Sequence, residues 1–165
     1  MKIKKFVGKA VEMGAEDAAI INTDSVVTSA WVRMKCRYGC GGYNSSHCCP
    51  PKSPTPAETQ SVLDCYSKAL LIHCKANANV KKIVLELERM IFLDGYHKTL
   101  GFGAGPCNLC KKCDLETCKK PEIARPSMEA CGIDVFTTAR ANGFPINVVR
   151  DDSDDRNFYG LVLIE

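Results

Sequence analysis

The feature that most constrains this chain is a run of four cysteines within twelve residues, Cys107-Asn-Leu-Cys110-Lys-Lys-Cys113-Asp-Leu-Glu-Thr-Cys118. Thiols that recur at every third position of so tight a loop point the wrong way to pair as disulfides. They can instead converge on a compact metal–sulfur core. We therefore expect residues from about 105 to 121 to form a cofactor-binding loop.

The spacing of this run indicates which cofactor it binds. Bacterial-type ferredoxins hold a [4Fe–4S] cluster with a similar run in which a proline follows the last cysteine, and Pro121 follows Cys118 here. The gap of four residues between Cys113 and Cys118 differs from the three-residue gap of those ferredoxins. Zinc is the alternative, but zinc sites usually join two separated cysteine pairs. The sequence favours an iron–sulfur cluster.

A second cysteine-rich segment precedes the run and covers about residues 36–51, Cys36-Arg-Tyr-Gly-Cys40-Gly-Gly-Tyr-Asn-Ser-Ser-His-Cys48-Cys49-Pro50-Pro51. With four thiols in each segment, the chain has enough for two [4Fe–4S] clusters, and we expect one at minimum. Cys48 and Cys49 are adjacent, and adjacent side chains seldom reach the same cubane. We therefore expect three ligands from this segment. Either Cys118 or another residue supplies the fourth, or one iron stays open for an exogenous ligand.

Composition limits the setting in which these thiols act. The net charge of +3 over 165 residues is too small, and the lysines are too scattered, to predict nucleic-acid binding. No secretory signal or membrane-length apolar stretch is present, so we expect a cytoplasmic protein that does not bind a membrane. Eleven cysteines in a reducing compartment indicate metal binding rather than disulfides. They also suggest a cell that is poor in oxygen.

The rest of the chain alternates between helical and strand patterns and predicts one α/β or α+β domain over residues 1–165. We expect a small sheet with helices packed on it and both cysteine-rich loops at one end. The predicted strands are Ala18–Ile21, Val26–Met34 and Ala69–Ile72, with a terminal hairpin of 146–149 and 158–164. The first predicted helix covers residues 4–13. Four more are predicted to begin at the capping box Thr55–Glu58, at Val80, at Pro126 and after Asp134. The last of these ends at Asn142-Gly143.

Several of these motifs together resemble a known family. They are Cys36-x3-Cys40, Cys49-Pro50-Pro51, Cys107-x2-Cys110-x2-Cys113, Ala124-Arg-Pro-Ser-Met-Glu-Ala130 and Gly132-Ile-Asp134. The combination is similar to a family of small predicted metal-binding proteins of unknown function, found mainly in anaerobic bacteria and methanogenic archaea. The resemblance covers about Val32 to Phe144 and implies iron–sulfur or other metal binding without supplying a reaction. Cys48 and Cys131 lie outside the family's pattern.

These observations favour a ferredoxin-like electron carrier that serves a protein redox partner or a metalloenzyme. Four lysines surround the second loop and predict a docking face for an acidic partner: Lys111, Lys112, Lys119 and Lys120. The alternatives are catalysis at an open iron, an accessory protein that delivers clusters, and a zinc-stabilised interaction module. The cysteines outside the loops, Cys65, Cys74 and Cys131, are expected to be small buried side chains, with Cys131 close to the second loop. His47 is either a surface residue or a ligand or hydrogen-bond donor of the cluster.

Overall fold

The computed structural model describes residues 2–165 and has an α+β fold built on one antiparallel sheet. Its four strands are β1 (Asp17–Asn22), β2 (Lys68–Cys74), β3 (Leu100–Phe102) and β4 (Phe158–Leu163), in the order β1-β2-β4-β3. The helices are α1 (Lys5–Glu12), α2 (Ala30–Gly39), α3 (Pro56–Leu63), α4 (Val80–Leu93) and α5 (Val135–Ala141). No helix within residues 2–165 is long and apolar enough to cross a membrane.

The two central strands are buried on both faces. Side chains alternate between the faces of a strand, so Leu71 and its partner Leu161 enter one core while Leu70 and its partner Val162 enter the other. Helices α1 and α4 cover the second core, and α4 begins at Val80, as the sequence predicted. The first core lies beneath α5 and a short 3₁₀ helix, Glu129–Cys131.

The predicted helix starts on this side are confirmed. Thr55 accepts a hydrogen bond from the Glu58 amide while the Glu58 carboxylate accepts one from the Thr55 amide, which completes the capping box of α3. The carboxylate of Asp134 accepts a hydrogen bond from the Thr137 amide at the start of α5. Near Pro126 the predicted helix is only the single 3₁₀ turn.

The predicted strand over Val26–Met34 is wrong, because the chain forms α2 from Ala30 onward. The run of β-branched residues before Ala30 suggested a strand, but only Thr28 makes a β-bridge, with Ile133. The apolar residues after it follow a helical period: Val32 is buried while Trp31 and Met34 lie on the exposed side. Cys36 therefore enters the first loop from a helix rather than from a strand.

The predicted terminal hairpin is also wrong in its first half. β4 is present, but residues 146–149 form no strand. Both edges of β4 are already paired, one with β2 and the other with β3, so no edge remains for a hairpin partner. Residues 146–149 instead run past the sheet as an irregular segment in which Ile146 is buried and Val148 is exposed.

Candidate metal centre

One group of thiols lies where α2 ends. Cys36 is in the helix, Cys40 follows its last residue, and Cys49 returns to them at the end of the loop. Gly42 lies between the last two: its amide donates a hydrogen bond to the Cys40 sulfur at 3.4 Å. A Cβ atom built on Gly42 would lie 3.5 Å from the sulfur of Cys40 and 3.9 Å from that of Cys49. The two sulfurs therefore lie on the same side of Gly42, and this three-cysteine group is Cys36, Cys40 and Cys49.

A second group surrounds a cavity of about 30 Å³. The four cysteines of the later run line this cavity, and so does one cysteine of the earlier segment, which gives the five-cysteine group Cys48, Cys107, Cys110, Cys113 and Cys118. The four cysteines of the run are partly exposed, whereas Cys48 is buried. The predicted metal residues thus fall into two sets, three in one and five in the other.

The adjacent cysteines are divided between these two groups. The pKa of Cys48 is raised to about 12; burial is the largest cause, followed by the thiols of Cys107 and Cys118 and then by that of Cys49. The pKa of Cys36 is raised by burial first and then by Cys40, with Cys49 contributing less. The sequence left open whether Cys118 completes the first cluster. Cys118 lines the cavity of its own loop, and Cys48 of the first segment lines the same cavity.

Hydrogen bonds of the first loop fix this division. The Asn44 amide donates to the carbonyl of Pro50 at 2.6 Å, which closes the loop on itself. The Ser46 hydroxyl accepts a hydrogen bond from the Cys48 amide at 3.2 Å, and the Cys49 amide donates to the Ser46 carbonyl at 3.2 Å. These bonds turn the backbone tightly at the two cysteines, so their side chains leave it in different directions.

His47 connects the two loops. Its Nε2 atom lies 2.8 Å from the carbonyl oxygen of Asp114, a residue of the second loop. A carbonyl oxygen only accepts hydrogen bonds, so Nε2 carries the proton and donates it. This is a bond between the loops rather than to a ligand sulfur, and it holds Cys48 beside the cavity that the second loop surrounds.

An arginine anchors the three-cysteine group. Arg33 donates hydrogen bonds to four oxygens: the Ser53 hydroxyl at 3.2 Å and the carbonyls of Ser53 at 3.0 Å, Pro54 at 2.8 Å and Ala130 at 3.0 Å. Its positive charge counteracts the burial that raises the pKa of Cys36. Arg33 reaches the three-cysteine group from α2.

A second arginine lies beside the five-cysteine group, and sequence reasoning missed it. Arg125 forms a two-pronged ion pair with Glu88 of α4, with N–O distances of 2.8 and 2.7 Å and side chains only 18% and 14% exposed. The hydrogen bond to Glu88 raises the pKa of Arg125, and Cys48 is also among the groups that raise it. The motif Ala124-Arg-Pro contained this residue, but no local spacing pointed to a partner 37 residues away.

The remaining cysteines and the four lysines are placed as follows. Cys74 and Cys131 are buried as expected, and burial raises the pKa of Cys131 to about 12. The expectation for Cys65 is wrong, because this residue follows the end of α3 and is exposed. Cys131 belongs to the 3₁₀ helix that packs against α2, next to the first loop rather than the second.

All four predicted docking lysines are exposed: Lys111, Lys112, Lys119 and Lys120.

The chemistry of the donors suits a thiophilic cofactor. Thiolates are soft ligands that select iron–sulfur clusters or zinc over magnesium or calcium. Among residues 2–165, no three His, Cys, Asp or Glu side chains are grouped closely enough to hold a single metal ion. The ligands of a cluster bind different iron atoms, so a cluster does not need its thiols to meet at one point. The donor type fits a thiophilic metal or a metal–sulfur cluster.

Comparisons with known proteins agree with metal binding at the level of the family. Searches of curated proteins and of solved structures gave no match. The family model described as predicted metal-binding protein (DUF2284) matches residues 19–164, which include both cysteine groups and all four strands except the start of β1. Because the match covers almost the whole chain, the protein belongs to this family of predicted metal-binding proteins.

Proposed function

We propose that this protein binds two [4Fe–4S] clusters, one at each cysteine group, and relays electrons between them and a partner protein. The observation that carries the proposal is the division of Cys48 and Cys49 between the groups. It removes the difficulty of two adjacent cysteines on one cubane. It also leaves at least three thiols for each cluster.

The same division supports a relay. Ligands of the two clusters would be consecutive residues, whose α-carbons are about 3.8 Å apart across a trans peptide. One peptide unit would then connect the two cofactors by a short covalent path. A protein that only stores a metal has no need of two centres so closely joined.

The charges around the groups suit reduction and docking. A cluster with thiolate ligands carries negative charge, which Arg33 and Arg125 would partly offset from positions fixed by hydrogen bonds. The exposed lysines of the second loop would attract an acidic partner to the five-cysteine group. Lys120 also donates a hydrogen bond to the Leu109 carbonyl at 2.8 Å, so part of this surface is held in place.

Iron, sulfide and zinc counts after anaerobic purification, with EPR spectra of the reduced protein, test the proposal. Two clusters give about eight irons per chain, whereas zinc without iron would overturn the proposal. Cys49→Ala should remove only the EPR signal of the three-cysteine group, and Cys110→Ala only that of the five-cysteine group. Cys65→Ala is the matched control, because this exposed cysteine lies outside both groups.

A second candidate function is catalysis at an open iron. It is favoured by one observation: the three-cysteine group supplies three thiols and borders a large cleft. A [4Fe–4S] cluster with three protein ligands leaves one iron free to act as a Lewis acid. Added cyanide should change the EPR spectrum of such a cluster, and an unchanged spectrum would argue for complete cysteine ligation and for electron transfer alone.

A further inference from the structure

A cleft with mainly apolar walls opens directly onto the three-cysteine group. Its volume is about 730 Å³, within the range of about 300–1,000 Å³ that is usual for small-molecule sites. The residues that line it come from α2 and the first cysteine loop, from the irregular segment 146–149 and the start of β4, and from the 3₁₀ helix and the first turn of α5.

The walls are largely aliphatic and aromatic, with side chains exposed at the surface of the cleft. Trp31 is 49% exposed and Val148 is 67% exposed, and both line it. Phe158 at the start of β4 is also partly exposed there. Exposed apolar side chains cost free energy in water, and a ligand with an apolar body that covers them would regain it.

An exposed lysine of the cleft can attract an anion. Lys35 and Arg156 line the cleft as cations, although Arg156 is already paired with Asp152 at 2.7 Å, and Glu129 and Asp134 are the acidic residues. Asp134 is already occupied as the cap of α5, where its carboxylate accepts hydrogen bonds from the Thr137 amide at 3.0 Å and hydroxyl at 2.6 Å. The remaining acidic side chain, Glu129, is exposed to solvent, which screens its charge.

The thiols of Cys36, Cys40 and Cys49 line the cleft, so a cluster bound by them would border it. We infer that this cleft binds an organic anion, with an iron-ligating carboxylate or thiolate at one end and an apolar body at the other. The anionic end occupies the iron that Cys36, Cys40 and Cys49 leave without a protein ligand, and the apolar body covers Trp31 and Val148. The inference rests on the proposed cluster at the three-cysteine group.

The chain carries its own reporter for this site. Trp31 is the one tryptophan of the sequence, so the intrinsic tryptophan fluorescence comes entirely from the cleft wall. The iron-loaded protein would be titrated anaerobically with phenylacetate and, separately, with 2-phenylethanethiol, while EPR follows the reduced cluster. Acetate has the same head group without the apolar body, and 2-phenylethanol has the body without the strong ligand.

We expect a saturable change in Trp31 fluorescence together with an altered EPR spectrum for phenylacetate, the thiol or both. The probe that gives both signals identifies the head group. Acetate should bind at least about tenfold more weakly, because it covers no apolar surface. Val148→Glu, which adds a negative charge to the cleft, should weaken binding about tenfold or more. Val11→Glu is the matched control on α1, at a valine that is 48% exposed outside the cleft, and it should leave the affinity unchanged.

The outcomes separate this inference from the proposed function. Absence of iron in the purified protein overturns the proposed function, and the inference with it, before any ligand is added. With iron present, no saturable fluorescence change for either probe overturns the cleft site. A fluorescence change with an unchanged EPR spectrum overturns ligation at iron, and equal effects of Val148→Glu and Val11→Glu overturn the assignment of the signal to this cleft.

Discussion

Gly132 packs against the first residue of α3, so replacing it tests how α3 and the 3₁₀ helix fit together. Its φ is +78°, which is left-handed, and it directly follows the 3₁₀ helix that carries Cys131. A Cβ atom built on it would lie 2.4, 2.8 and 2.9 Å from Cγ, Cβ and Cα of Pro56, the first residue of α3. The ring of a proline cannot rotate away as a flexible side chain would. Gly132→Ala should therefore force α3 and the 3₁₀ helix apart.

Gly143 provides the matched control. Its φ is also +78°, but a Cβ atom built on it would have nothing within 4 Å. The left-handed conformation costs an alanine about 1–2 kcal/mol at either position. The clash with Pro56 adds about 1–3 kcal/mol at Gly132 alone, the usual cost of forcing extra volume into a packed site. We expect Gly143→Ala to lower the free energy of unfolding by about 1–2 kcal/mol and Gly132→Ala by about 2–5 kcal/mol.

Urea unfolding of both variants under identical anaerobic conditions measures the difference, provided that the slopes with denaturant stay equal. Pro56→Ala in the Gly132→Ala background should recover part of the loss, because it removes the atom of closest approach. Equal losses for the two glycine variants, or no recovery from Pro56→Ala, would refute the claim that α3 is seated directly on Gly132.

Three further predictions concern charges. Arg125→Met should lower the free energy of unfolding by about 3 kcal/mol, because it leaves the poorly exposed Glu88 carboxylate without its partner, and Glu88→Gln added to Arg125→Met should restore part of this loss. Hydrogen bonds from Thr55 hold the pKa of Glu58 below its ordinary value. The ionised Glu58 therefore stabilises the folded protein at a pH above its unfolded-state pKa, and this stabilisation is lost as the pH falls through its folded-state pKa. Stability should fall as the pH drops below about 4.5. Urea midpoints between pH 6 and pH 3 should therefore change less in Glu58→Gln than in the parent protein, and parallel curves would contradict this. Glutamine at all four lysines of the second loop should slow reduction by an acidic electron-transfer protein such as a flavodoxin and reduce its dependence on ionic strength, whereas an unchanged rate would argue that these lysines only offset cluster charge. Their positions are Lys111, Lys112, Lys119 and Lys120.

The sequence predicted those parts of the fold whose signals are local. The capping box at Thr55 and the apolar spacing from Val80 to Ile91 each depend on contacts within a few residues, and both are present. The strand predicted over Val26–Met34 failed because β-branched residues favour strands only where a neighbouring strand is available to pair. Here the segment has a single bridge and then turns into α2.

The cysteine segments could be recognised from spacing, but their grouping could not. The turn at Ser46 and the hydrogen bond from His47 to the second loop place Cys48 beside Cys107 rather than beside Cys36 and Cys40. Arg125 and Glu88 meet only because α4 lies against the sheet near the second loop. Such long-range contacts leave no periodic trace in the sequence.

Because Cys48 and Cys49 are consecutive residues in different cysteine groups, filling one metal centre affects the filling of the other. Fixing Cys48 at one centre also restricts the backbone of Cys49, so part of the entropy needed to order the other centre has already been lost. Loading of the two centres should therefore be cooperative: native mass spectra taken during reconstitution with iron and sulfide would contain mainly empty and fully loaded chains. The peptide between Cys48 and Cys49 would thus couple the two loading steps and disfavour chains in which only one centre is filled.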